Sequence, residues 1–228
     1  MVEYVHYSEP RGGPKLFKFG KYSFSDLELK HLAIAFILTS LTLYFIRIPS
    51  LLTGGGSGFF TTLFSLILRP DFLMFIIAFG FAFILHEFGH KLVAQHYRFI
   101  SEFRADIQTM LFILLIALFS PFILIAPGAV MVLGRPSIRQ NGIISVAGPM
   151  VNVVLGLISL IALFLLSPVG LFATFLIYSL WINSFLGVFN MLPFWVLDGK
   201  KVLKWSKPVY FGVMGILLAM LIFTWTIF

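Results

Sequence analysis

Long apolar runs alternate with short polar and basic segments along most of the chain. Six of these runs reach the length of about 20 residues that a helix needs to cross a bilayer, and they occupy residues 31–48, 71–97, 107–126, 142–166, 169–192 and 208–228. Apolar runs of this length with few charges are typical of transmembrane helices. The pattern predicts an all-α polytopic membrane protein with five to six transmembrane helices.

The first 30 residues have a different pattern. They are polar and basic and contain no apolar core of a signal peptide, so we predict a cytosolic N-terminal segment at 1–30 followed by a transmembrane domain at 31–228. Apolar and polar residues alternate around Gly20, which predicts a short β-hairpin. Ser25 and Glu28 have the spacing of a capping box, which predicts the start of a helix.

The distribution of lysine and arginine argues that one apolar run does not cross. If all six crossed, the lysines at 200–207 would lie opposite the basic N-terminus, against the tendency of positive charge to stay in the cytosol. If 107–126 instead enters and leaves by the same face of the membrane, Arg47 and Arg69 are the only arginines or lysines of the connecting loops on the outer side. We therefore expect five spans and a re-entrant or interfacial element at 107–126.

Composition narrows the class of protein further. Of the 228 residues, 60% are hydrophobic and 11% are charged, and cysteine is absent. These values exclude a coiled coil, a disordered chain and a disulfide-rich secreted domain. The net charge of +7 comes from basic clusters between apolar runs. That arrangement favours contact with a lipid bilayer over binding of nucleic acid.

A pair of histidines inside the second run provides the first candidate chemistry. His86 and His90 are four residues apart, so both imidazoles project from one face of a helix and can bind one metal ion. Glu87 lies between them, as in metalloproteases, where the histidines bind zinc and the glutamate activates water. Three ionisable groups at this depth in a membrane are unfavourable unless they are paired or bind a metal.

Catalytic zinc usually has three protein ligands, so a third donor must come from elsewhere in the chain. Asp71 is about 22 Å from His86 along the helix axis, and His96 lies on another helix face. Glu102 and Asp106 are close to arginines in sequence, which favours surface ion pairs.

Asp198 is the remaining candidate for the third ligand. It follows Pro193 and precedes Gly199, so a break in the backbone can direct its carboxylate toward another helix. Zinc, two neutral imidazoles, this aspartate and ionised Glu87 sum to zero charge, the least unfavourable total in a low-dielectric site.

Together these motifs resemble the site-2 protease family of intramembrane zinc metalloproteases (M50 type), in a compact prokaryotic form without PDZ or CBS modules. The resemblance covers most of the chain and rests on three segments in order: His86, Glu87 and His90 as HExxH; Gly148, Pro149 and Asn152 as GPxxN; and Asn190, Pro193, Asp198 and Gly199 as NxxPxxxxDG.

The resemblance implies a multi-pass enzyme of the cell membrane that cleaves transmembrane protein substrates. It implies one zinc ion held by His86, His90 and Asp198, with Glu87 as the general base that activates water. It also implies that Asn190 helps to hold the substrate backbone. Asn152 either shapes the site or simply bonds between helices. The oligomeric state stays open.

Other functions fit fewer of these residues. A transporter or proton relay also places His, Glu and Asp in the membrane, but it does not need two histidines spaced for a metal. Gly55, Ser57 and Gly58 match the GxSG pattern of rhomboid serine proteases, which leaves the histidine motif and Asp198 unexplained. A catalytically silent membrane scaffold would have no need of an intact ligand set.

Overall fold

The computed structural model describes residues 16–46, 61, 68–117 and 128–226. Within them it has two small antiparallel sheets and seven helices: β1 (Leu16–Phe19), β2 (Tyr22–Ser25), α1 (Asp26–Ile46), α2 (Pro70–His96), β3 (Ile100–Arg104), α3 (Ile107–Ala117), β4 (Ala129–Leu133), α4 (Ile138–Leu166), α5 (Gly170–Asn190), α6 (Asp198–Trp205) and α7 (Lys207–Thr224). The predicted glycine-rich GxSG stretch at 54–58 and Arg47 lie outside the described residues.

Five of the described helices are long and apolar enough to cross a membrane, namely α1, α2, α4, α5 and α7. This confirms the predicted helical membrane architecture. The first helix begins at Asp26, as the capping box of Ser25 and Glu28 predicts: the Glu28 backbone N–H donates to Ser25 Oγ at 3.0 Å, and the Ser25 N–H donates to Glu28 Oε2 at 3.4 Å. The division predicted between 30 and 31 therefore falls within α1.

Both sheets are two-stranded hairpins. The predicted hairpin around Gly20 is present as β1 and β2, and Gly20 has a φ of +59° at the start of its two-residue turn. The second pairs β3 with β4, so that Arg104 lies opposite Ala129. The chain between Arg104 and Ala129 therefore begins and ends at the same place in the fold, as the five-span prediction requires.

Between these strands, α3 has 11 residues and is about 16 Å long, roughly half the thickness of the hydrocarbon core. It packs along α1, next to the point where the Ala105 N–H donates to His31 Nδ1 at 3.1 Å. The described part of 107–126 thus has the length of a re-entrant or interfacial element. Residues 118–126 lie outside the described ranges.

The centre of the bundle is α2, which packs against α1, α4 and α5. Fully buried Phe75 and Phe79 pack along its N-terminal half, where Phe75 contacts Tyr44 and Tyr178 edge to face. In the C-terminal half of α2, a Cβ added to Gly89 would lie 2.9 Å from the Ala147 carbonyl oxygen. The lack of a side chain there lets α4 approach α2 beside the histidine pair.

Basic residues gather at one end of the bundle. This is the end where α2 and α5 terminate and α4 and α7 begin, and Trp205 of α6 packs against Gly142 of α4 there. The described basic residues on segments at this end are Lys18, Lys21, Lys30, Lys91, Arg98, Arg104, Arg135, Arg139, Lys200, Lys201, Lys204 and Lys207. Arg69 is the described basic residue at the opposite end. The charge asymmetry is the one predicted for a cytosolic face.

Candidate metal centre

The two motif histidines lie within a candidate membrane span. His86 is about 24 Å along α2 from its start at Pro70 and about 15 Å from its end at His96, at 1.5 Å per residue. Both histidines are buried, with 3% and 7% of their surface exposed for His86 and His90. Their Nε2 atoms are 3.1 Å apart, so the two rings direct their outer nitrogens to one point.

Asp198 joins them from a different part of the chain. It is the first residue of α6, and its Oδ2 lies 3.0 Å from His90 Nε2 and 3.8 Å from His86 Nε2. The three side chains form a group whose donor atoms all lie within 4.8 Å of one another.

The inner ring nitrogens show which atoms are available to a metal. His86 Nδ1 donates to Asn152 Oδ1 at 2.5 Å, and His90 Nδ1 donates to the Ile144 carbonyl at 2.7 Å. A neutral imidazole carries one proton, so both Nε2 atoms present lone pairs. Two lone pairs and the Asp198 carboxylate then converge without a proton between them, an arrangement that a cation stabilises.

The space around these donors also fits a metal ion. A Cβ added to Gly148 would lie 2.6 Å from His86 Nε2 and closer still to His90 Nε2. Only a residue without a side chain leaves this space open. Two imidazoles and a carboxylate are ligands that zinc prefers, and three protein ligands are the usual number at a catalytic zinc. The residues present therefore fit zinc.

Glu87 lies beside this group. It is 7% exposed, and the Val130 backbone on β4 lies near its carboxylate. Its Oε2 is buried and has no hydrogen-bond partner within the part of the chain that the structure describes. A buried carboxylate oxygen without a partner next to a metal-binding group is an arrangement suited to proton transfer.

Comparison with known proteins assigns the chain to a family. Residues 74–177 match the peptidase family M50. Over 202 residues the chain is 34% identical to the protein named "Putative zinc metalloprotease MJ0611" of Methanocaldococcus jannaschii, and the alignment covers 88% of this chain and 93% of that protein. The chain belongs to peptidase family M50. No solved structure matches it.

Family M50 membership and the five apolar helices describe a multi-pass membrane metalloprotease, and membership implies zinc as its metal. The segment matched to the family contains the histidine motif and Asn152. Asp198 and Asn190 lie beyond that segment. The proximity of Asp198 to the histidines is therefore an observation of the structure that the family match does not supply.

The remaining predicted residues lie around the break between α5 and α6. Asn190 ends α5, and its Nδ2 donates to the Leu186 carbonyl one turn earlier at 3.0 Å. Pro193 lies in the turn that follows. A Cβ on Gly199 would be 2.7 Å from the Leu192 carbonyl oxygen and closer to that of Met191. Gly199 thus lets α6 begin against the end of α5.

Four other ionisable residues weighed as ligands are engaged elsewhere. Asp71 pairs with Arg69, His96 lies 3.4 Å from Lys21, Glu102 pairs with Arg104, and Asp106 caps α3. Hydrogen bonds from the Thr109 hydroxyl and backbone lower the pKa of Asp106. The structure places these side chains in local contacts away from the histidines. Glu102 forms the predicted ion pair with Arg104, whereas Asp106 bonds to Thr109 of the helix that it caps.

Sequence analysis missed three features of this site. The Ile144 carbonyl is a backbone atom, for which the sequence carries no signal. Val130 reaches Glu87 through β4, a strand not predicted at this position. Gly148 was noted only as part of a motif, although a glycine within an apolar span is a signal of close approach. Asn152 bonds both to His86 and to Asn183 on α5, contacts that fit either of its predicted roles.

Proposed function

We propose that this M50 metalloprotease is an intramembrane protease that hydrolyses a peptide bond within or near a transmembrane helix of a membrane-protein substrate. The observation that carries the proposal is the position of the group: Asp198 of α6 meets His86 and His90 beside Glu87, and the helix that carries these last three residues is apolar enough to span the membrane. Such polar groups are unfavourable in a bilayer, and functional chemistry is the usual reason for them.

The roles of the residues follow from their contacts. His86, His90 and Asp198 would hold one zinc ion. When bound, zinc polarises the peptide carbonyl and makes water more acidic. Glu87 would accept the proton of the attacking water and later deliver it to the nitrogen of the leaving amine. Its Oε2, free of hydrogen bonds within the described chain, suits this exchange.

The helices that flank the site hold these groups in place. Asn152 and the Ile144 carbonyl fix the tautomer and orientation of the two imidazoles. Asn190 is proposed to hold the substrate backbone. Its Nδ2 donates to Leu186, so binding of substrate would require this amide to exchange partners.

The substrate must change conformation before it can react. A transmembrane helix keeps its carbonyls in internal hydrogen bonds, so the scissile region has to unwind to expose one. Gly, Pro or polar residues near the cleaved bond would lower the free energy of unwinding. Specificity would thus depend on substrate flexibility as well as on side chains.

Orientation is the second part of the proposal. The end of the bundle that carries most of the described basic residues would face the cytosol, together with the segment 1–30. The metal group is closer to this end, about 15 Å from the end of α2. Water would then reach it from the cytosolic side.

The test compares the purified protein with Glu87→Gln on a membrane-embedded substrate helix, with zinc content measured in parallel. We expect one zinc per chain in both proteins and loss of cleavage in the variant, because the amide cannot accept a proton. Glu102→Gln is the matched control, since Glu102 pairs with Arg104, and should cleave normally.

Two results would contradict the proposal. Cleavage retained by Glu87→Gln would exclude Glu87 as the base. Metal-independent ion flux through the protein, with no cleavage of any substrate helix, would favour the transporter or proton relay instead.

A further inference from the structure

A buried ion pair lies next to the metal group but takes no part in it. Lys91 follows His90 on α2, and its Nζ donates to Glu28 Oε2 at 2.8 Å. Lys91 is 1% exposed and Glu28 is fully buried. Removing both charges from water is so unfavourable that a buried pair adds little net stability compared with apolar residues of similar size. Stability alone therefore does not account for the pair.

The pair joins three elements of the fold. Lys91 Nζ also donates to the Ser101 carbonyl of β3 at 2.7 Å. Glu28, in the first turn of α1, accepts the backbone N–H of Phe103 on β3 at 3.0 Å. Two charged side chains from α1 and α2 thus hold the outer edge of β3 by main-chain hydrogen bonds.

The β3–β4 ladder connects this anchor to Glu87. Phe103 lies opposite Val130 in the antiparallel register. The Phe103 N–H points out of the ladder and donates to Glu28 at 3.0 Å. In this register the Val130 N–H points out of the other edge, on the side where the Val130 backbone lies near the Glu87 carboxylate. Outward N–H groups on opposite residues are the geometry of a non-hydrogen-bonded antiparallel pair. A shift of β3 would therefore move the Val130 backbone beside Glu87.

We infer that Glu28 and Lys91 are positioning residues, whose buried ion pair fixes the β3–β4 hairpin so that Val130 meets Glu87 in the orientation that proton transfer needs. The inference rests on the proposed role of Glu87. Glu28 lies outside the segment 74–177 matched to the family. The helix α1 is thus more than a membrane anchor, because it contributes to the geometry of the active site.

The test removes the pair without changing its shape. Lys91→Met removes the positive charge and the hydrogen bonds that Lys91 donates to Glu28 and Ser101. Glu28→Gln keeps an acceptor for the Phe103 N–H, and the double variant removes both charges. The matched control is Tyr178→Phe, which removes a 3.3 Å hydrogen bond to Asp71 near the other end of α2. Zinc content, unfolding temperature and cleavage rate are measured for each variant.

A separate readout reports the hairpin itself. The chain has no cysteine, so spin labels can be attached at Met131→Cys on β4 and Leu73→Cys on α2, both exposed positions. Pulsed electron paramagnetic resonance then gives the distribution of distances between the spin labels on β4 and α2. This measurement needs neither activity nor bound zinc.

We expect Lys91→Met and the double variant to broaden or shift this distribution and to lower the cleavage rate roughly tenfold or more, with zinc content kept. Glu28→Gln should have a smaller effect, and Tyr178→Phe none on either readout. An unchanged distribution in Lys91→Met and the double variant would overturn the inference. So would a loss of cleavage that only matches the loss of folded protein.

Failure of the proposed function would look different. A parent protein that binds no zinc, or that cleaves no substrate helix, would contradict the protease assignment. The spin-label distances would still decide whether the pair anchors the hairpin.

Discussion

His86 Nδ1 donates to Asn152 Oδ1 at 2.5 Å, and the Asn152 amide donates in turn to Asn183 Oδ1 at 2.8 Å. Asn152 is fully buried between α2, α4 and α5. Its orientation is therefore set by α5, and it sets the orientation of His86. The helices of the bundle thus determine which nitrogen of His86 can bind a metal.

Replacing Asn152 by Leu should weaken zinc binding by about 10- to 100-fold, the usual effect of losing such an outer partner. His86 could then rotate or adopt the other tautomer. Competition against a chromophoric chelator measures the affinity. Ser159→Ala is the control, because it removes a hydrogen bond from α4 to Ser179 without touching a histidine. Equal affinities in Asn152→Leu and the parent would contradict the role of Asn152.

How far the sequence predicts this site depends on how local each feature is. The spans and the histidine pair follow from apolar length and i, i+4 spacing, both properties of single helices. Asp198 was predicted from charge balance and a backbone break, and the structure places it 3.0 Å from His90 Nε2. These features need no knowledge of how the helices pack.

The remaining features depend on contacts between distant segments. The strands β3 and β4 flank a strongly apolar stretch, so their pairing is not evident from alternation within either strand. Glu28 and Lys91 are 63 residues apart. In the sequence, each of them has the surroundings of an ordinary charged residue at the membrane interface. Their burial becomes apparent only when α1, α2 and β3 are assembled.

A methyl group at position 148 should weaken metal binding. The Cβ of Gly148→Ala would lie 2.6 Å from His86 Nε2, and hydrogen bonds hold both imidazoles in place, so they cannot easily retreat. We expect at least a tenfold loss of zinc affinity, measured by the same competition, and loss of cleavage. Gly215→Ala on α7, where a Cβ meets nothing within 4 Å, is the control and should bind zinc normally. Full zinc occupancy in Gly148→Ala would show that this glycine does not border the metal.

Gly199→Ala should act on Asp198 through the backbone. The added Cβ would meet the carbonyls of Met191 and Leu192, and backbone atoms cannot move aside as a flexible side chain can. The start of α6 must shift, and Asp198 with it. We expect weaker zinc binding and lower cleavage, with the protein still folded by circular dichroism. Gly212→Ala, at an open position of α7, should change neither. Parent-like zinc affinity in Gly199→Ala would show that this close contact does not position Asp198.

Single cysteines in the otherwise cysteine-free chain can test the proposed orientation. Leu68 precedes α2 and is 73% exposed, whereas Lys204 lies on α6 at the basic end of the bundle. Because positively charged loops stay in the cytosol, a membrane-impermeant thiol reagent added to intact cells should label Leu68→Cys and not Lys204→Cys. Inverted vesicles should give the reverse pattern. Labelling of Lys204→Cys from outside and of Leu68→Cys from inside would reverse the orientation. Labelling of both from one side would mean an even number of crossings between them, which would contradict the re-entrant or interfacial assignment of 107–126.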